Sequence, residues 1–269
     1  MIDPVVDLDG IRALPEPVLF ADVRHYLDGR SGRAAYDRGH LPGAIFVDVD
    51  HDLAAPGSAA EGRHPLPSPE AFAECMARLG VSDDDTVIAY DDAGGVTAAR
   101  LVWMLRVIGQ DAALLDGGVE AYAGALETAV PDRPRATFTA RPWPPERLAG
   151  IEDATSASFV VLDARQPERF RGESEPIDPR AGHIPGARNV PCRENVGADG
   201  RFLPVEPLRR RFAAAGVTDG ASVVSYCGSG VTACHNLLAL ERAGLGPGRL
   251  YPGSWSQYSA TDRPAAAGA

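Results

Sequence analysis

The 269-residue chain contains itself twice, and this constrains its fold more than any other property of the sequence. Gly39-His40-Leu41-Pro42-Gly43-Ala44 returns as Gly182-His183-Ile184-Pro185-Gly186-Ala187, and Gly95-Val96-Thr97-Ala98 returns as Gly230-Val231-Thr232-Ala233. Leu115-Asp116-Gly117-Gly118-Val119-Glu120-Ala121-Tyr122 likewise resembles Tyr251-Pro252-Gly253-Ser254-Trp255-Ser256-Gln257-Tyr258. The landmarks keep their order at a separation of about half the chain. Such a repeat implies two copies of one folding unit, each long enough to bury its own core.

Each copy opens on an apolar run ending in Asp-x-Arg, Val18 to Arg24 and Phe159 to Arg165. A second run follows later in each, Thr86 to Tyr90 and Ser222 to Tyr226. Their β-branched and aromatic content marks buried strands, whereas Ala233-Cys234-His235-Asn236-Leu237-Leu238-Ala239-Leu240 has helical spacing. Strands alternating with helices predict an α/β fold with a mainly parallel sheet flanked by helices in each copy. The expected domains are 1–129 and 147–269, joined over 130–146 by a linker too rich in proline for regular elements. The tail from Asp262 to Ala269 has no periodicity and is expected to be mobile.

Composition then narrows the function. A formal charge of -11 argues against a nucleic-acid or acidic-lipid surface, since phosphate affinity is built from cations. The sequence has no lysine, so any anion pocket must be made by arginine. No apolar stretch reaches membrane-spanning length and the acidic start does not resemble a signal peptide, so a cytoplasmic protein without membrane partners is expected. Cys75, Cys192, Cys227 and Cys234 form no CxxC pair and no zinc-ligand pattern. Neither a metal nor another cofactor is indicated.

One cysteine stands apart. Cys227-Gly228-Ser229-Gly230-Val231-Thr232 lies at the turn from a strand to a helix, with small residues that leave its amides open at the positive end of the helix dipole. That setting favours a sulfur nucleophile and anionic adducts. In the first copy the same turn carries Asp91, which cannot bear a sulfur adduct and is expected to repel anions. The first domain is therefore expected to be catalytically inactive. Cys234, about two helical turns after Cys227, is expected to pack within its helix, while Cys192 has no clear place; either is a candidate for an inhibitory disulfide.

The loop Cys227 to Ala233, the repeated Gly-His-x-Pro-Gly-Ala and Asp163-Ala164-Arg165-Gln166-Pro167-Glu168-Arg169-Phe170-Arg171-Gly172 together resemble the two-domain rhodanese-like sulfurtransferases over nearly the whole chain. The loop is most similar to that of 3-mercaptopyruvate sulfurtransferases, because thiosulfate-preferring rhodaneses place basic residues where Gly228 and Ser229 stand. The resemblance implies tandem rhodanese-like domains and transfer of sulfane sulfur from 3-mercaptopyruvate, through a Cys227 persulfide, to cyanide or a thiol acceptor. A low-molecular-weight thiol or a thioredoxin-like protein is the kind of thiol acceptor this implies. It implies binding of sulfur by Gly228, Ser229, Gly230, Val231 and Thr232, and of the donor carboxylate by Arg169. The family's second substrate arginine follows Glu-Pro, but Ile177 stands there, leaving Arg180, and more weakly Arg171, as candidates. A relay of Asp28 and His40 to Ser229 is also implied, although the repeat equates His40 with His183 and suggests that each only orders its turn. Ser229 either serves the departing enolate or is merely small. Arg24 and Arg165 read as structural in both copies, and Trp255 reads equally as site wall or core. The alternatives are a thiosulfate:cyanide sulfurtransferase and a non-catalytic regulatory module. A cysteine phosphatase would need an arginine where Ala233 stands.

Overall fold

The computed structural model describes residues 1–14 and 17–268. Two compact units form. The first comprises Met1–Ala55, Pro67–Trp143 and Ala198–Phe202; the second comprises Pro56–Leu66, Pro144–Gly197 and Leu203–Ala269. Sequence order and compact unit thus part company in two short segments, each grouped with the unit of the opposite half.

In the first unit, strands β1 (Val5–Val6), β2 (Val18–Asp22), β3 (Ile45–Phe46), β4 (Thr86–Tyr90) and β5 (Ala112–Leu115) form an all-parallel sheet in the order β1-β5-β4-β2-β3. In the second, β6 (Val160–Asp163), β7 (Arg188–Asn189), β8 (Val223–Tyr226) and β9 (Arg249–Leu250) are ordered β7-β6-β8-β9, again all parallel. Both apolar runs of each copy are central strands, because a strand covered on both faces needs no polar alternation. The helices are α1 (Leu8–Ile11), α2 (Gly32–Arg38), α3 (Pro69–Arg78) and α4 (Ala99–Val107) in the first half of the chain, and α5 (Pro167–Phe170), α6 (Val205–Ala214), α7 (Ala233–Arg242) and α8 (Ser254–Tyr258) in the second. Helix α3 begins on a Ser68 side-chain cap to Ala71 N–H, with Pro69 in its first turn where a missing amide costs nothing.

The repeat holds at the level of single bonds. Arg24 grips Asp22 and donates to Gly39 O at 2.7 Å, and Arg165 grips Asp163 and donates to Gly182 O at 2.7 Å. The strand-ending tyrosines meet the same turns, Tyr90 Oη accepting from Leu41 N–H and Tyr226 Oη from Ile184 N–H. Asp-x-Arg and the terminal tyrosine are therefore the clamp on Gly-His-x-Pro-Gly. Burial opposes the charge of Arg165, but Asp163, with Tyr226 and Glu175, more than offsets it and holds the guanidinium protonated.

Two further segments are ordered by backbone pairing. The expected mobile tail is instead docked: Ala266 and His183 exchange both backbone hydrogen bonds, and Gly268 N–H donates to Arg171 O at 2.9 Å. Its alanines and glycines leave the backbone free to pair, a signal that periodicity does not carry. Much of the proline-rich stretch lies against the first unit. Ala136 N–H donates to Ala77 O, Phe138 meets Phe72 edge-on, and Trp143 donates to Pro67 O.

Candidate active site

Cys227 follows directly on β8, and α7 starts at Ala233, so the intervening loop stands at the carboxyl edge of the sheet. Its backbone is fixed from behind by the segment entering α8. Cys227 O accepts from Trp255 N–H at 3.0 Å, Gly228 O accepts from Ser256 N–H at 2.8 Å, and Cys227 N–H donates to Ser254 Oγ at 3.2 Å. Ser254 adopts φ 51, the one left-handed non-glycine among the described residues. Gly230 has φ +80, and a Cβ there would lie 2.6 Å from Pro252 O, so only glycine fits. Its N–H in turn reaches Cys227 Sγ at 3.1 Å. Val231 is buried, and Thr232 occupies the N-cap of α7 without using its side chain to cap it.

Ser229 Oγ lies 2.7 Å from Nδ1 of His64, and both residues are only 7% exposed. The expected relay to His40 and Asp28 is corrected by this contact. His40 Nδ1 lies 2.9 Å from Tyr36 O and Nε2 3.2 Å from Ala129 O, with the ring stacked on Tyr36 at 3.8 Å. His183 repeats that arrangement, with Nδ1 at 2.8 Å from Phe170 O and the ring on Phe170 at 3.7 Å. Both histidines serve their turns, as the repeat suggested. Asp28 is exposed and paired with Arg30, which draws its carboxyl below the usual range through the Arg30 amide and guanidinium.

The arginine candidates separate just as clearly. Arg180 is consumed by carbonyls, donating to Ser259 O, Arg263 O and Tyr258 O at 2.8, 2.9 and 3.1 Å. It is corrected from a substrate residue to a brace of the C-terminal segment, and Arg171 pairs with exposed Glu173. Arg169 stays at the site. It forms ion pairs with Glu175 at 2.5 Å and Asp178 at 3.2 Å, and its Nη1 lies 3.4 Å from where a Cβ on Gly228 would stand. Arg63 was not foreseen. Its Nη1 pairs with Asp178 at 2.5 Å, its backbone N–H donates to Ser256 Oγ at 3.0 Å, and its Nη2 is 3.2 Å from the same Cβ position. Positive charge absent from the side chains at 228 and 229 is thus supplied beside Gly228 by two arginines from other segments.

A signal for Arg63 and His64 existed in the repeat. Gly62-Arg63-His64-Pro65-Leu66-Pro67 resembles Gly200-Arg201-Phe202-Leu203-Pro204, which is one residue shorter, and only the first carries an imidazole. In the first unit Phe202 N–H donates to Asp116 Oδ1 at 2.8 Å and Arg201 lies 4.0 Å from Asp116. Two further cysteines, Cys192 and Cys234, are buried. Burial, followed by the nearby Cys227 charge, pushes Cys192 up to about 12, and Cys234 Sγ donates to Gly230 O at 3.4 Å within its own helix turn. Trp255 is fully buried among Tyr226 and Tyr258 and donates to Arg180 O, which makes it core. Among the described residues no group of three or more His, Cys, Asp or Glu is placed to hold a metal, and no helix is long and apolar enough to cross a membrane.

Comparison with known proteins agrees with this geometry. The rhodanese-like domain matches twice, over residues 11–125 and 145–261. A Pseudomonas aeruginosa protein described as a probable 3-mercaptopyruvate sulfurtransferase is 44% identical over 274 residues, covering 95% of this chain and 94% of that one. A Mycobacterium tuberculosis protein described as a putative thiosulfate sulfurtransferase, SseB, is 39% identical, covering 94% and 92%. Among solved structures, Escherichia coli SseA, described with the 3-mercaptopyruvate sulfotransferases, superposes with a TM-score of 0.81 at 33% identity, covering 94% of this chain and 99% of that one. With two domain matches, a duplicated clamp and one cysteine loop intact, the chain belongs to the rhodanese-like family as a tandem two-domain member.

Proposed function

We propose that the protein transfers sulfane sulfur from 3-mercaptopyruvate to a thiol or cyanide by way of a Cys227 persulfide. The observation that carries this reading is the Cys227 loop itself, in which Gly230 N–H meets Sγ at 3.1 Å while Ser229 is held by His64 at 2.7 Å. The Cys227 thiolate attacks the donor sulfur, an S–S bond forms, the C3–S bond breaks, and its electron pair leaves as the pyruvate enolate. Arg169 holds the donor carboxylate, and the Ser229–His64 pair delivers a proton to the enolate. The amides of residues 228 to 232, at the start of α7, cradle the persulfide. An acceptor thiolate then attacks the outer sulfur and Cys227 leaves as thiolate. Cyanide in that role carries the sulfur away as thiocyanate, and a low-molecular-weight thiol or thioredoxin-like protein carries it as a persulfide.

The first unit performs no sulfur chemistry in this reading, because Asp91 stands in its loop. A second donor deserves mention on one observation: the Mycobacterium tuberculosis relative is described as a putative thiosulfate sulfurtransferase. A side-by-side assay of purified protein decides between them. Pyruvate release from 3-mercaptopyruvate with a thiol acceptor is expected to exceed turnover of thiosulfate with cyanide. Equal or faster thiosulfate turnover overturns the donor assignment.

A further inference from the structure

One serine joins the two segments that carry the Ser229–His64 pair. Ser256, the third residue of α8, is 9% exposed. Its N–H donates to Gly228 O at 2.8 Å, and its Oγ accepts from Arg63 N–H at 3.0 Å. The hydroxyl spends its own proton on Gly253 O at 3.0 Å, which leaves it an acceptor towards Arg63. Gly228 and Arg63 are the residues immediately before Ser229 and His64. The contacts therefore form a ladder of two rungs, Gly228–Ser256–Arg63 and then Ser229–His64 at 2.7 Å.

The turn that leads into Arg63 is seated on the same helix. Ser58 and Gly62 exchange both backbone hydrogen bonds, and Gln257 Nε2 donates to Ala60 O at 2.5 Å between them. Gln257 Oε1 is itself held by Tyr251 Oη at 2.6 Å. Gly62 has φ +89, and a Cβ there would stand 2.5 Å from Gly253 O and 3.0 Å from Ser256 Oγ, so only glycine allows the approach. Helix α8 thus grips the cysteine loop by its main chain and the His64 segment by its side chains.

The first unit supplies the control. Its Val119 N–H keeps the 3.0 Å bond to Asp91 O that Trp255 N–H makes to Cys227 O. By the repeat, however, exposed Glu120 stands for Ser256 and Ala121, without a polar side chain, for Gln257. Arg201 N–H there turns to Asp199 Oδ1 instead. The main-chain grip is common to both units, and the side-chain grip belongs to the one with a thiol in its turn.

We propose that Ser256, assisted by Gln257, is a positioning residue for sulfur transfer, which sets His64 at hydrogen-bond reach of Ser229. This rests on the sulfurtransferase reading, in which that pair delivers the enolate proton. Proton delivery needs heavy atoms about 2.6–3.2 Å apart, so a small displacement of the His64 segment is enough to slow it.

Ser256→Ala keeps the main-chain bond to Gly228 and removes only the acceptor for Arg63 N–H; Gln257→Leu removes the donor to Ala60. Pyruvate release from 3-mercaptopyruvate, discharge of preformed Cys227 persulfide to cyanide, and thermal melting are measured for both, alone and combined with His64→Phe. Ser256→Ala is expected to lower kcat for pyruvate release about 10-fold and Gln257→Leu about threefold. Ser256→Thr, which retains the oxygen, recovers most of the loss. Persulfide discharge, which needs no enolate proton, stays at the wild-type rate. In the His64→Phe background, itself slow, Ser256→Ala costs less than about twofold more, the coupling expected of a residue that acts through His64. Additive losses, equal slowing of both half-reactions, or Ser256→Ala within about twofold of wild type overturns the proposal, as does wild-type turnover by His64→Phe. Wild-type protein inactive with both 3-mercaptopyruvate and thiosulfate would instead sink the sulfurtransferase reading.

Discussion

The loops at Cys227 and Asp91 leave equivalent strands and enter equivalent helices, yet the second spends four amides on its own aspartate, whereas in the proposed reading the first turns its amides to the sulfur. Asp91 is fully buried. Its Oδ1 accepts from Ala93 and Gly95 N–H at 2.8 Å each, and its Oδ2 accepts from Thr97 and Ala98 N–H at 2.8 and 3.0 Å. Thr97 Oγ1 stands 2.9 Å from the same oxygen. The expectation of an acidic loop that repels anions therefore needs a different physical reason. The carboxylate does not face outward; it is itself the anion in the cradle. The comparison teaches that this turn binds negative charge by construction, whether the charge is covalently built in or delivered as a sulfur adduct.

The largest effect expected of this contrast is chemical. Cys227→Ser should lower sulfur transfer by at least about 10⁴-fold while leaving thermal melting near wild type. Adding Asp91→Cys to that variant should restore nothing, since Phe202 stands where the second unit has His64. Turnover regained by the double variant would show that a thiol in the turn is enough and would break the comparison.

Next in size is a stability effect confined to the other loop. Asp91→Ala removes a buried acceptor from four amides and should cost about 3 kcal/mol, lowering the melting transition by roughly 10 °C, with sulfur transfer changed only a few-fold. A variant that melts like wild type would mean that the amides do not depend on the carboxylate. The smallest effect concerns a neighbouring thiol. With Cys192 pushed up to about 12, its thiolate fraction at pH 8 is about one in ten thousand, and the fraction grows only as pH approaches 12. Iodoacetamide mapping by mass spectrometry should therefore label Cys227 well before Cys192. Equal labelling would place the Cys192 thiol in a far more polar setting than its burial implies.

Much of this was legible because the sequence carries its own control. Duplication made the Gly-His turn, the Asp-x-Arg ends and the Cys227 loop recognisable, and the pairing of His40 with His183 already favoured a structural role for both. Periodicity also located the central strands. What escaped were contacts that depend on long-range closure. His64 reaches Ser229 across 165 positions and Arg63 reaches Asp178 across 115, separations over which local pattern says nothing. Arg180, by contrast, had the right neighbourhood in sequence and the wrong partners in space: three carbonyls near the C-terminus consume it, and no local rule reveals that.

The grouping of Pro56–Leu66 with the second unit bears on how such a gene can be divided. Arg63 and His64 are encoded upstream of the proline-rich stretch, and Cys227, Ser229, Arg169 and Asp178 downstream of it. A cut between the repeats would yield a C-terminal fragment that keeps the Cys227 loop but lacks the imidazole that meets Ser229 and the guanidinium that pairs with Asp178. The half without a nucleophile is thus no vestige. In the proposed reading it is the covalent tether of the His64 that meets Ser229 and the Arg63 that meets Asp178, and selection on the reaction reaches through them into the duplicate that carries no thiol in its turn.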